Sequence, residues 1–275
     1  MTSEPALQYL DAHCHLHDPR IINDISGIVQ RAEAAGVTGM VTCATMEENF
    51  GATAALARQY PAIVPCYGIH PWFLDSLSPG WHQVLGDQVA AQVCGIGETG
   101  LDFMDKNADR DRQMAVFEGH LALARDLERP VNIHIRKAWD VFVRLLKKTG
   151  PLKSPGLVHS FSGSADMVSV LIRFNLYISF SGSVTRPGAK KVVNALKAVP
   201  KDRILLETDT PDIYPSVPVP DPHGLNEPKN LPAIAQIAAS RAGVKVPEFV
   251  RQAYVNAREV FAPMILAASP GSRQL

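Results

Sequence analysis

The sequence predicts an α/β protein, a single (β/α)8 barrel of the TIM type with helices added at its C-terminal end. Three observations carry this expectation. Short apolar, β-branched runs alternate with amphipathic stretches along the 275 residues. The runs are apolar throughout, as strands of a parallel sheet covered on both faces must be. Eight such pairs pass without a shift in composition, which favours closure into a barrel over the alternative, a doubly wound open sheet.

The elements follow in order. Residues 8–13 read as the first strand, running into His13. Residues 21–35 read as a helix, with Ile21, Ile25, Ile28, Val29 and Ala32 on one face and a stop at Gly36. Residues 37–43 are β-branched and read as strand two; residues 48–59 read as a helix that ends before Pro61. Strand three is read at 63–69, a helix at 80–91, and strand four at 93–97, leading into Glu98. A long amphipathic helix is read at 108–127, then strand five at 131–134 and a helix at 138–148. The last units are a strand at 156–159, a helix at 165–174, a strand at 176–180, a helix at 189–198 and a strand at 204–208. Residues 211–222 hold five prolines, which exclude a regular helix or central strand, so this stretch reads as a loop on the face where strand eight ends. Helices at 227–241 and 247–261 close the chain. The barrel is taken to span residues 1–265, with a frayed tail at 266–275.

Composition narrows the function. Lys plus Arg and Asp plus Glu are both 27, a formal net charge of zero, so the chain is not built to coat duplex DNA, and any nucleic-acid contact must be local to a pocket. No apolar run approaches the roughly 18 residues of a membrane span. Met1-Thr2-Ser3-Glu4-Pro5 has neither a basic stretch nor an apolar core, so no secretory signal is expected. Cys14, Cys43, Cys66 and Cys94 form no Cys-x-x-Cys pair and lie in or beside apolar runs. A reduced, cytoplasmic protein is expected, with no membrane partner and no obligate protein partner.

The chemistry sits where strands end. In Leu10-Asp11-Ala12-His13-Cys14-His15, side chains alternate faces, so His13 and His15 point the same way. Glu98 follows strand four, His134 strand five, His159 strand six and Asp209 strand eight. In a barrel these ends converge on one face. Four histidines and two carboxylates there suit a pair of divalent metals with nitrogen and oxygen ligands. His13, His15 and Asp209 can hold one metal, His134 and His159 the other, and the two oxygens of Glu98 can bridge them. A water between two such metals becomes a nucleophile near neutral pH, and Asp209 has a second oxygen to orient it or take its proton. The reaction implied is hydrolysis, with Glu98 and Asp209 catalytic.

The same residues fall in motifs that resemble the TatD family of metal-dependent deoxyribonucleases, within the amidohydrolase-like barrels. The motifs are Asp11-Ala12-His13-Cys14-His15-Leu16, Gly97-Glu98-Thr99-Gly100-Leu101-Asp102, His134-Ile135-Arg136-Lys137-Ala138, His159-Ser160-Phe161-Ser162-Gly163 and Glu207-Thr208-Asp209-Thr210-Pro211. The resemblance spans nearly the whole chain and implies the same six ligands. It also implies two divalent ions (magnesium, manganese or zinc) and exonucleolytic phosphodiester hydrolysis of a DNA substrate, single-stranded or at 3′ ends. A dinuclear hydrolase of a small phosphoester, amide or lactone is the alternative; related lactonases and phosphotriesterases often bridge with a carbamylated lysine, where this chain has Glu98.

Three residues are expected to touch substrate. His70, in Gly68-Ile69-His70-Pro71-Trp72, can donate to a phosphate. Arg136 offers a guanidinium for bidentate phosphate binding. Lys229 is the third: where the family often carries Arg-Asn-Glu-Pro, this chain has Leu225-Asn226-Glu227-Pro228, and Lys229 can partly replace the missing arginine. Asp102 can orient a neighbouring group or cap the next element. Trp72 and Phe103 can stack on a base or pack on the rim. His17, His82, His120 and His223 are read as surface or core residues.

Overall fold

The structure is a computed structural model that describes residues 6–216 and 224–268. Eight parallel strands run in sequence order: β1 (Tyr9–Cys14), β2 (Val37–Cys43), β3 (Ile63–Tyr67), β4 (Gly95–Asp102), β5 (Val131–Arg136), β6 (Gly156–Val158), β7 (Leu176–Phe180) and β8 (Ile204–Leu206). Helices follow each strand: α1 (Ile25–Ala34), α2 (Phe50–Gln59), α3 (Trp81–Ala90), α4 (Arg110–Asp126), α5 (Trp139–Thr149), α6 (Ala165–Ile172), α7 (Lys190–Ala198) and α8 (Leu231–Ala242), with α9 (Val246–Ala268) added last. Every neighbouring pair from β1–β2 to β7–β8 is parallel. This is the (β/α)8 barrel the alternating pattern predicts.

The seam between β8 and β1 is sewn at the mouth rather than along the strands. The Asp209 N–H donates to the His13 carbonyl at 3.0 Å, and the His15 N–H to the Thr210 carbonyl at 2.7 Å. The buried Asp11 carboxylate accepts from both the backbone N–H and the hydroxyl of Thr208. Asn226 donates to the Thr208 carbonyl at 2.7 Å, and Glu227 holds Arg31 of α1 through two hydrogen bonds. The segment Asn226-Glu227-Pro228 therefore fastens the end of β8 to α1.

Two apolar cores divide the molecule. The larger lies between the strands and their helices; the smaller fills the barrel with Leu10, Val41, Val64, Leu157, Tyr177 and Leu205. Val260, Phe261 and Met264 of α9 close its N-terminal end. α9 thus covers one end of the barrel, and polar residues gather at the other, where the strands end.

The largest departure from the expected elements is β4. The sequence predicts a strand at 93–97 leading into Glu98, yet the strand begins at Gly95 and runs through to Asp102, pairing Thr99 with Ile133 and Asp102 with Arg136. The glycines serve close approach: a Cβ on Gly97 would lie 2.6 Å from the Asn132 carbonyl oxygen, and one on Gly100 would lie 1.9 Å from that of His134. Both have positive φ, +138° and +150°, which side chains rarely adopt. Glu98 and His134 accordingly sit within paired strands, more rigidly held than loop residues. Helix α9 also runs past the expected 247–261. Of the proline-rich loop, residues 217–223 lie outside the described residues, as does the end of the tail. Among the described residues, no helix is long and apolar enough to cross a membrane.

Candidate metal centre

Glu98 sits at the centre of the mouth, 2 % exposed, with its two oxygens facing different neighbours. Oε2 lies 3.2 Å from His15 Nε2 and 3.5 Å from His13 Nε2. Oε1 lies 2.8 Å from His159 Nε2 and 3.0 Å from His134 Nδ1. Asp209, turned inward on a left-handed backbone (φ +59°), places Oδ1 3.4 Å from His13 Nε2 and 3.5 Å from His15 Nε2. All six residues expected as ligands are thus brought together, and their atoms form clusters able to hold a metal: His13–His15–Asp209, His13–Glu98–His159 and, with His70, His70–Glu98–His134.

Each of the four imidazoles is anchored from behind. His13 Nδ1 donates to Asn132 Oδ1 at 2.9 Å, and the Asn132 amide is oriented by its own donation to the Ala12 carbonyl. His15 Nδ1 donates to the Cys43 carbonyl at 2.8 Å. His134 Nε2 donates to Asp102 at 3.2 Å, and His159 Nδ1 to Glu207 at 3.3 Å. With one nitrogen of each ring spent outward as a donor, the other turns a lone pair inward. Four such lone pairs then crowd the two carboxylates, with His13 Nε2 and His15 Nε2 3.1 Å apart and His134 Nδ1 and His159 Nε2 3.0 Å apart. Acceptors converging without donors are stabilised only by cations, and this donor set fits divalent metal.

Protons do the same work when no metal is bound. Burial by itself lowers the pKa of His13, His15 and His159, but the adjoining carboxylates reverse the effect. His13 is held well above the usual histidine value, and His15 and His159 are pushed up to about 9. Burial would raise the two carboxyls, yet the surrounding histidines hold Glu98 and Asp209 well below the usual range. A raised pKa in the folded state stabilises the fold fully below the ordinary value near 6.5 and loses that contribution as pH rises through about 9. The metal-free protein is therefore expected to melt at a lower temperature at pH 9 than at pH 7. Metal binding at pH 7 should release protons, because ligating imidazoles must be neutral. Thermal melts of chelated protein, with calorimetry in two buffers of different ionisation enthalpy, check both; a flat melting temperature and no proton release would contradict the clustering.

His70 differs from the other rings. Its Nδ1 accepts the Trp72 N–H at 3.1 Å, so Nε2 carries the hydrogen and points toward Glu98 Oε1, 3.4 Å away. Burial pushes its pKa down to about 3, which keeps it neutral. An imidazole in that form is a hydrogen-bond donor, not a ligand.

The centre opens into a cavity of about 450 Å3 lined by His15, His70, Glu98, His134, His159 and Asp209, and at its rim by Trp72 and Arg136. Arg136 is half-exposed, with Nη1 3.9 Å from Asp102. Lys229 is not among the lining residues: its ammonium lies 3.2 Å from Glu227, in the group that fastens β8 to α1. Leu225 packs against the outer core.

Several residues of the site escape a reading of strand ends. Arg20 lines the cavity, with its guanidinium held by Asp18 and Asp212. His17 lines it too; its Nδ1 is buried without a hydrogen-bond partner, and burial lowers its pKa to about 3. Asn132 had a signal in sequence, since it lies two residues before His134 and so on the same face of β5. Glu207 had one as well, lying beside Asp209 in the same short motif.

The chain is similar to known proteins over nearly its whole length. Residues 10–262 match the family model described as TatD related DNase. The protein named uncharacterized metal-dependent hydrolase YabD, from Bacillus subtilis, is 30% identical, over 91% of this chain and 98% of its own. The 3′-5′ ssDNA/RNA exonuclease TatD of Klebsiella pneumoniae is 35% identical, over 91% and 97%. Among solved structures, the TatD homologue YjjV of Escherichia coli superposes with a TM-score of 0.87 at 28% identity, covering 92% of this chain and 98% of that one.

Proposed function

From the premise that the chain belongs to the TatD-related DNase family of metal-dependent hydrolases, we propose that it cleaves phosphodiester bonds at the 3′ ends of single-stranded DNA. The observation that carries the reading is the inward set of four histidine lone pairs around the two oxygens of Glu98. In this reading His13, His15 and Asp209 hold one divalent ion, His134 and His159 hold a second, and Glu98 spans both. Bound magnesium, manganese or zinc there supplies Lewis acidity toward a phosphate oxygen and acidifies an attacking water.

The chain's own groups do the rest. Asp209 would be ionised against the cation it helps to hold, and its second oxygen can orient the water and take its proton. Asn132, Cys43, Asp102 and Glu207 hold the rings in the orientation that leaves their lone pairs inward. The His70 Nε2–H and the Arg136 guanidinium donate to the substrate phosphate. Lys229 receives no phosphate contact, because its charge faces Glu227 outside the cavity lining. Cys14, Cys43, Cys66 and Cys94 are free and buried, which fits a reducing compartment, and we place the protein in the cytoplasm.

A second reading is hydrolysis of a small phosphoester, amide or lactone. It is favoured by Arg20 of the cavity lining, whose charge is already engaged by two carboxylates, and by Leu225 in the sequence position of the family arginine. A panel of a 3′-labelled single-stranded oligonucleotide, its duplex, a p-nitrophenyl phosphate ester and a lactone separates the two. The nuclease reading expects stepwise loss of the 3′ label with the single strand preferred. Turnover of the lactone or small ester with the oligonucleotide intact would overturn it.

A further inference from the structure

We propose that Trp72 is a nucleobase platform, and that a second cavity beyond it receives the base and sugar of the nucleotide whose phosphate enters the metal centre. The proposal rests on the nuclease reading above and names a recognition site within it. Trp72 is 62 % exposed, a large apolar face left in water at the rim of a deep cavity. Trp81 and Trp139, by contrast, pack on His120 and Phe161. An exposed aromatic is ordinarily mobile, yet this one is fixed at two points. Its indole N–H donates to Asp102 Oδ2 at 2.9 Å, and its backbone N–H to His70 Nδ1 at 3.1 Å. The ring centroid lies 4.8 Å from that of His70 and 6.2 Å from that of His134. A pinned, solvent-facing ring so close to the metal-facing histidines is pre-organised for stacking, and every base has a π-face to offer.

Trp72 lines both the cavity at the metal centre and a second one, and so stands between them. On the far side lies a space of about 450 Å3, lined by Trp72, Asp102, Asp105, Asp109, Arg112 and Gln113. It is large enough for a nucleoside. Its carboxylates disfavour phosphate, which leaves the backbone on the metal side, and they can accept from N–H groups on a base edge, thymine N3–H among them. Among the described residues, the metal-type clusters all include His13 or Glu98.

The test compares wild-type protein, Trp72→Ala and Trp72→Phe on two single-stranded thymidine oligonucleotides. One is ordinary; the other carries abasic tetrahydrofuran residues at its last two positions. Stacking predicts that the wild type prefers the ordinary strand in kcat/KM by about 5- to 150-fold, the range for one base on an aromatic side chain. Trp72→Ala should treat the two strands alike, and Trp72→Phe, which keeps a ring but not the N–H to Asp102, should retain most of the preference. If Trp72→Ala keeps the preference, the platform is overturned. It is equally overturned if Trp72→Phe falls as far as Trp72→Ala on both strands, since the indole then acts through Asp102. A second readout needs no turnover. Thymidine 5′-monophosphate should quench the tryptophan fluorescence of the wild type, deoxyribose 5-phosphate should not, and Trp72→Ala should lose the response. Quenching without cleavage of either strand would sink the nuclease reading and leave the base site standing; cleavage without quenching would do the reverse.

Discussion

Glu98→Gln is expected to lose about a thousandfold in kcat, roughly 4 kcal/mol of barrier, while the melting temperature of the metal-free protein changes far less. The carboxylate is the one group with an oxygen in each half of the centre, within 3.5 Å of His13 and His15 on one side and 2.8–3.0 Å of His159 and His134 on the other. The amide has the same shape but half its donor capacity is lost, and its NH2 must face lone pairs on one side. One metal should therefore be lost or bound weakly. The barrel framework survives loss of this charge, because β4 is held to β5 by backbone pairing and by the close approach at Gly97 and Gly100; the metal-free protein gives up only the share of stability that Glu98 lends the protonated histidines. Metal content and kcat measured on the same preparation, beside a melt, check the expectation. Two equivalents of tightly held metal with normal turnover would remove Glu98 from the bridging role.

Asp209→Asn is expected to lower kcat by about a hundred- to ten-thousandfold even at metal concentrations that saturate the site, the range for removing a general base. The amide oxygen still reaches toward His13 and His15, so coordination is weakened rather than abolished, but the amide cannot accept a proton. The seam should survive, because the backbone N–H of residue 209 makes the bond to the His13 carbonyl. The loss should appear in kcat rather than KM, since the proton moves only as the reaction proceeds. Metal-saturation kinetics decide the matter: a rate restored to normal by excess metal would leave Asp209 as a ligand alone.

Much of this architecture was legible in the chain because the signals were local. Each strand is a short apolar run, and the barrel follows from repeating that unit. His13, His15, His134 and His159 were visible because each stands in or just after such a run. What escaped depends on neighbours distant in sequence. The apolar run of β4 ends at residue 97, and its continuation to Asp102 shows only once β5 is alongside, so close that a Cβ on Gly97 or Gly100 would lie 2.6 Å or 1.9 Å from the carbonyl oxygens of Asn132 and His134. Asn132 read as an ordinary strand residue because its partner, His13, is 119 positions away. Lys229 reads as a phosphate anchor because it follows the motif from which the family arginine is missing, at Leu225. In three dimensions Asn226 and Glu227 tie β8 to α1, and Lys229 faces Glu227. Arg20 was missed for the same reason, as Asp212 reaches it across the seam from 192 positions away.

We propose that this barrel hydrolyses its substrate with two divalent ions held around Glu98. The decisive measurement is exhaustive chelation followed by stepwise return of manganese, with metal per chain determined by elemental analysis at each step and activity read on the same samples. No turnover is expected in the metal-free protein, with recovery that follows metal content and a plateau at two equivalents per chain. Undiminished hydrolysis from protein shown to carry no metal would contradict it.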